Sequence, residues 1–333
     1  MSKKETEKGR YLSASRIKTL ETCSWTYWCK YHLGLPDTTN SGALRGSLCH
    51  LVFELLLKPR HRKHYDGIIE KKSVKKGSAA VERLIVKHLK TFVTNSKEGI
   101  PEKEDHDLMH KMVYIGLAHN FFGHKGAVID CPEQEFRIEN KGPNYNIYGF
   151  MDKPIKYKKK KTIKIVDYKS SKRKFTGEDL ESNVQAMMYA LAATKLWPEF
   201  KKIIVQFLFL RFPRQPVQEL EFTKDQLKGF EVYLEHLNVV INSFSEEEAK
   251  LNFASDNEYH WLCGPAKSGW ICPFHKPFDY YSLLDEEGNQ VKSSHKNDLG
   301  PSDGQTVEKR HYSGCPAKMC SSKSSAEEDL FDF

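Results

Sequence analysis

The sequence predicts an α/β fold, a mixed β-sheet flanked by helices, behind a helical N-terminal region. Three observations predict it. Apolar residues in the first third recur at the three- and four-residue spacing of buried helix faces. Between residues 131 and 170 the pattern changes to alternation in segments rich in β-branched and aromatic residues, the signature of half-buried strands. A further helical stretch over 179–196 then leads into the continuous apolar run IIVQFLFLRF, residues 203–212, which reads as a buried strand.

Each element has a local reason. Ser13 or Ser15 can cap a first helix through its hydroxyl, and Ile17, Leu20, Trp28 and Tyr31 continue it until Gly34 and Pro36. A second helix is expected over 45–57, where Leu48, Leu51, Val52 and Leu55 form a stripe that Pro59 ends. Two more fit 79–94 and 105–123. Strands are expected over 131–138, 145–157 and 162–170, separated by Gly142-Pro143-Asn144 and by the lysines of 156–161. After the helix over 179–196 and the strand over 203–212, residues 217–222 add an edge strand. Thr223 then caps a helix running to about Leu251.

Composition narrows the class. The 333 residues carry 52 Lys and Arg against 44 Asp and Glu, a net charge of +8, with 39% hydrophobic residues, so the chain is globular and mildly basic rather than disordered. A basic surplus invites nucleic acid, because Lys and Arg that neutralise phosphates release counterions. No apolar run approaches the ~20 residues a membrane span needs, and the opening MSKKETEKGR lacks a secretory apolar stretch, so a cytoplasmic location without membrane attachment is expected. In that reducing compartment the eight cysteines suit metal ligation better than a disulfide framework.

The chemistry concentrates on two strands. Asp167 and Lys169 are two residues apart, so a strand places the carboxylate and the ammonium on one face. The preceding strand carries Gly149-Phe150-Met151-Asp152, which brings a second acid from a neighbour. Two carboxylates in one pocket repel unless a divalent cation sits between them, and hard oxygen ligands suit Mg²⁺ or Mn²⁺. Gln185 and Tyr189 lie one turn apart on the following helix, as do His50 and Glu54 earlier, so each pair shares a helix face.

These segments, Gly46 to His50 with Glu54, Gly149 to Asp152, Asp167 to Ser170, and Gln185 to Tyr189, resemble the PD-(D/E)XK nuclease superfamily, specifically its RecB-like branch. They occur in the order that branch uses and span residues 13–212. The resemblance implies a restriction-endonuclease-like core with His50, Asp152, Asp167 and the backbone carbonyl of Tyr168 as metal ligands. It makes Asp152, Asp167 and Lys169 catalytic, and Gln185 and Tyr189 site-steadying residues that contact DNA. The domains expected are a helical region 1–126 contributing His50, a nuclease core 127–253, and a cysteine-bearing segment 254–283 packing back on the N-terminal helix. A disordered tail, 284–333, completes the chain. Glu133 and Glu135 alternate on the first strand, where either could join the site, with surface charge the favoured reading.

The same branch often ties its first helix to a C-terminal segment through a four-cysteine iron-sulfur cluster. Cys23 matches the N-terminal position, and Cys263 and Cys272 follow the core, but a compact C-terminal triplet is missing and no cysteine stands near Phe278. Cys29, His275, Cys315 or Cys320 could complete the set. A 4Fe-4S cluster, a zinc ion, and thiols packed as small apolar groups all remain open. The lysines of 156–161 and the run 60–64 read as solvated loops or, as flanks of a nuclease groove, as phosphate binders that read no bases. The expected activity is a divalent-metal-dependent DNA exonuclease in recombination, repair or viral DNA metabolism. A structure-specific endonuclease and a non-catalytic DNA- or partner-binding nuclease fold are the alternatives. No G-x-x-x-x-G-K-[ST] motif is present, and the acidic, Phe-ending tail 327–333 could recruit a helicase or replication partner.

Overall fold

The helices begin where capping side chains and apolar spacing coincide. The computed structural model describes residues 11–37, 41–95, 103–139, 145–264 and 271–317. Ser13 caps α1 (Ala14–Thr22), its hydroxyl accepting from the Arg16 N–H. The single helix expected through residue 31 is two, because Cys23 adopts extended backbone and caps α2 (Ser24–Tyr31), its sulfur accepting from the Thr26 N–H at 3.5 Å. Then come α3 (Ser41–Leu57), α4 (Arg62–Lys71), α5 (Ala79–Asn95) and α6 (Lys103–Ala118). Helix α4 takes over most of the basic run expected as loop. Its Tyr65, Ile68 and Ile69 supply an apolar face, with Ile68 fully buried, which leaves Arg62 and Lys63 on the outer side.

The strands are β1 (Gln134–Glu139), β2 (Asn146–Met151), β3 (Lys153–Tyr157) and β4 (Thr162–Lys169). One strand was expected over 145–157. It breaks at Asp152, where the chain leaves its ladder with β1 and begins pairing with β4. Asn183 caps α7 (Val184–Leu196), accepting from the Ala186 N–H. After it come β5 (Lys202–Phe209), β6 (Val217–Leu220) and α8 (Lys224–Asn242), and a Ser245/Glu248 capping box starts one further turn at 246–249.

The chain forms two compact units, one of residues 1–38, 139–147 and 232–333, the other of 39–138 and 148–231. In the second unit β3-β4-β5-β6 make one sheet, with β4 and β5 parallel in the register Asp167↔Phe207 and the outer pairs antiparallel. Parallel neighbours need a crossover, and α7 supplies it. Its buried Ala186, Ala190 and Ala193 allow close approach to β5. Helices α3, α5 and α6 contribute Val52, Phe53, Ile85, Met109 and Val113 to a core that includes Val166, Tyr168 and Leu208 from the sheet.

Over residues 285–317 the first unit differs from the disordered tail expected for 284–333. Residues beyond 284 continue an antiparallel sheet of β7 (Phe278–Leu284), β8 (Gln290–Ser294) and β9 (Thr306–Tyr312), in the order β8-β7-β9. Asp285 turns the first hairpin by accepting from the Glu287 and Asn289 N–H groups. The sheet joins the N-terminal helices through Trp25, whose indole N–H donates to the Tyr312 hydroxyl at 2.8 Å, and through Gln290, whose amide donates to the Gly34 carbonyl. Among the described residues no helix is long and apolar enough to cross a membrane. Cys320 and the acidic segment 327–333 lie outside the described residues.

Candidate active site

The end of β4 is where the sheet stops satisfying its own backbone. Strand β3 begins at Lys153, paired with Val166, so past that point β4 has no strand partner on this side. The open positions are taken by side chains. The Tyr168 N–H donates to Asp152 Oδ2 at 2.8 Å, and the Tyr168 carbonyl faces His50 Nε2 at 3.1 Å. The Lys169 carbonyl points the other way, to the Leu210 N–H. Alternation along the strand thus delivers one main-chain carbonyl, that of Tyr168, into the site.

His50 reaches this point because α3 approaches β4 closely. A Cβ on Gly46 would sit 3.0 Å from the Ser170 hydroxyl, so glycine one turn before His50 permits the contact. Phe53, three residues on, packs against the Tyr168 ring with centroids 4.3 Å apart. Gly149 has a comparable reason: a side chain there would run into the Phe136 ring at 2.6 Å.

The acids converge with His50. Its Nδ1 lies 3.5 Å from Asp152 Oδ1 and 3.5 Å from Glu133 Oε1, and these three side chains offer ligand atoms within 4.8 Å of one another. Burial pulls the imidazole toward its neutral form, but Asp152 and Glu133 outweigh it and hold His50 well above its usual range. Burial, reinforced by the Asp167 charge, raises Asp152, against the opposing effect of His50 and the Tyr168 N–H. Of the two glutamates that could join the site, Glu133 is the one that does, against the surface reading favoured for both. It precedes β1 with φ at 52°, and its N–H donates to the Asp152 carbonyl, so a left-handed turn aims its carboxylate inward. Its alternation with Glu135 on the expected first strand was the available signal. Glu135, near Arg137, is exposed as expected.

Asp167 is buried and held from α7. Its Oδ1 accepts from Gln185 Nε2 at 2.9 Å and from the Tyr189 hydroxyl at 3.1 Å. Burial and the charges of Asp167 and Asp152 keep the Tyr189 phenol well above its usual range, so it stays a donor. Gln185 Oε1 in turn accepts from Lys169 Nζ at 2.5 Å. Lys169 Nζ also lies 2.8 Å from Asp167 Oδ2, within ion-pair distance, but off the hydrogen-bond direction, so Oδ2 is buried without a hydrogen bond. His50, Asp152, Asp167, Tyr168, Lys169, Gln185 and Tyr189 therefore share one site. Glu54 stands apart in an ion pair with Lys58 at 2.8 Å.

A second grouping lies in the first unit. Cys23, Cys263, Cys272 and Cys315 line one cavity of about 420 Å³, with His275 also on its wall. Cys29 is not on that wall. It is fully buried, its thiol faces the Tyr312 hydroxyl at 3.5 Å, and burial pushes it up to about 12, the behaviour of a packed thiol. Cys315 stands in its place for a topological reason. Phe278 pairs with Tyr312, so the sheet that follows Cys272 carries the chain out and back to where it began. Cys49 is buried in the core and Cys131 is exposed.

The chain is similar to solved structures at low identity. A candidate exonuclease from Eubacterium rectale is similar at 12% identity over 74% of this chain and 90% of that one, with a TM-score of 0.38. The protein SSO0001 is similar at 13% identity over 75% and 94%, with a TM-score of 0.27. No curated protein matches significantly. Residues 11–274 match the family model of the PD-(D/E)XK nuclease superfamily, and the chain belongs to that superfamily.

Proposed function

We propose that this nuclease is a divalent-metal-dependent deoxyribonuclease that degrades DNA from ends. The observation that carries the reading is the convergence of His50, Asp152, Asp167 and the Tyr168 carbonyl beside Lys169. Imidazole, carboxylate and carbonyl donors fit Mg²⁺ or Mn²⁺, and the buried Asp167 Oδ2 and the raised Asp152 are groups a cation would satisfy. A cation held there would polarise a phosphodiester oxygen and make water a stronger acid. Lys169 sets a positive charge where the phosphate develops negative charge. Gln185 and Tyr189 fix the Asp167 carboxylate by donating to it, and Gln185 also orients Lys169, so both act first as positioning residues.

The +8 net charge supports a polyanionic substrate. The test is incubation of the full chain with end-labelled linear and with circular DNA, in Mg²⁺, Mn²⁺ or EDTA. Progressive loss of linear DNA with circles spared, abolished by EDTA, is expected. Cut circles would replace the reading with a structure-specific endonuclease, and no cleavage in either metal would leave a binding protein. Recruitment of a helicase or replication partner through residues 327–333 rests on the sequence of that segment.

The reading extends to Cys23, Cys263, Cys272 and Cys315 as ligands of a 4Fe-4S cluster. Burial raises the Cys272 thiol and pushes Cys315 up to about 11, so these sulfurs become thiolates only when a cation compensates. A single zinc ion would draw its sulfurs to about 3.8 Å of one another. Among the described residues these cysteines are not one of the groups whose ligand atoms lie within 4.8 Å, which favours the larger cluster over zinc.

A further inference from the structure

Two histidines and a glutamate meet between α5 and α6, remote in sequence from every residue assigned above. His106 and His110 are four apart on α6 and so share a face, their ring centroids 4.2 Å apart. Glu82, in the first turn of α5, faces both. Its Oε1 lies 3.1 Å from His106 Nε2, and its Oε2 lies 2.5 Å from His110 Nε2. The three offer ligand atoms within 4.8 Å of one another.

Closeness alone would describe ion pairs. The directions do not. Glu82 Oε2, His106 Nε2 and His110 Nε2 are each buried from solvent, and none meets a neighbour along a good hydrogen-bond direction, although His110 Nε2 and Glu82 Oε2 are only 2.5 Å apart. Three buried polar atoms that converge off one another's hydrogen-bond directions are placed for a common partner. The partner must accept lone pairs from two imidazoles and a carboxylate, which describes a cation.

We propose that Glu82, His106 and His110 form a zinc site that clamps α5 to α6. Two nitrogens and one oxygen suit Zn²⁺ over Mg²⁺, with one coordination position left for water. The clamp has a structural purpose. Asp105, beside His106, pairs with Arg45 of α3 at 2.5 Å, and Met109 and Met112 of α6 enter the same core as Phe53. Fixing α6 therefore steadies α3, the helix that carries His50.

The test uses the full chain in millimolar Mg²⁺, which loads the nuclease centre, dialysed against Co²⁺ and against Zn²⁺. The wild type is expected to give the visible absorption of tetrahedral Co²⁺ beyond any thiolate-to-metal band from the cysteines. It should also hold one more equivalent of Zn²⁺ than Glu82→Gln or His110→Gln, and melt higher with Zn²⁺ than without. Cobalt bound through thiolate alone in the wild type overturns the proposal, whether or not the variants fold. Equal zinc content and equal zinc-dependent melting in wild type and folded variants overturn it as well.

Discussion

Lys153 lies directly beneath the site, and its replacement by Met gives a pH-dependent result that can be worked through. The side chain is 1% exposed, next to Asp152 in sequence. Its Nζ donates to the Phe121 carbonyl at 3.1 Å and lies 4.7 Å and 5.0 Å from the ring centroids of Phe121 and Tyr168. Burial, partly offset by Asp152, lowers the ammonium from 10.5 to about 7. Because the folded pKa is depressed, the unfolded chain binds more protons between those values, and stability rises with pH across that window and is flat below it. At 1.36 kcal/mol per pH decade the whole span corresponds to roughly 5 kcal/mol, of which about 3 kcal/mol accrues between pH 6 and pH 9. Met fills the volume without titrating, and it leaves the Phe121 carbonyl unpaired at a cost of about 1–3 kcal/mol that does not vary with pH. Urea unfolding of both proteins from pH 6 to pH 9 should therefore show the wild type gaining about 3 kcal/mol relative to Lys153→Met, with Met favoured at the acid end. Groups that do not interact with Lys153 cancel in the difference. Parallel stability curves would refute the reasoning and show Lys153 charged in the core throughout.

Asp167→Asn and Lys169→Met should each lower cleavage by about two to three orders of magnitude, with DNA affinity measured in EDTA unchanged, because phosphate binding is spread over many basic residues. Cleavage near the wild-type rate would remove these residues from the chemistry. Tyr189→Phe keeps the ring but removes one donor to a buried carboxylate, about 1.5–3 kcal/mol, so activity should fall roughly ten- to hundredfold and the Mg²⁺ needed for half activity should rise. Anaerobically purified protein should contain iron, and Cys263→Ala with Cys272→Ala should lose it together with melting temperature. Iron-free wild type melting like that double variant would return these cysteines to packed thiols.

Much of the site was legible because its chemistry sits on short segments of regular structure. Asp167 and Lys169 share a face in any strand, Gln185 and Tyr189 share one in any helix, and the order of helices and strands fixed which segments are neighbours. Glu133 was not separable from Glu135 in the sequence because its inward aim depends on a positive φ that no residue type at that position announces. The sheet of β7, β8 and β9 was hidden by its polar composition. It buries Tyr280, Leu283, Leu284 and Tyr312, while much of β8 and β9 stays accessible, so the segment reads like a solvated tail. Cys315 was hidden with it, since only the pairing of Phe278 with Tyr312 returns it to the other cysteines. Glu82 and the histidine pair are not legible in the sequence, because a spacing of four on an amphipathic helix has no meaning until the partner helix is placed.

The break at Asp152 explains why a strand pattern that looks continuous must be discontinuous to work. Were β2 and β3 one strand pairing throughout with β4, the backbone of residue 152 would occupy the edge of β4 beyond Val166. Tyr168 would then spend its N–H and carbonyl on the ladder. Ending β3 at Lys153 substitutes a side chain for a strand. Asp152 Oδ2 takes the Tyr168 N–H, its Oδ1 stays directed toward His50, and the Tyr168 carbonyl is released into the site. On the opposite edge β5 continues in parallel register through Lys169, so the end of β4 at the candidate site is paired on one side and open on the other. A strand with one edge paired and one edge free can present an acid, a main-chain carbonyl and a lysine in three successive residues. That geometry is the physical content of the Asp167-Tyr168-Lys169 motif.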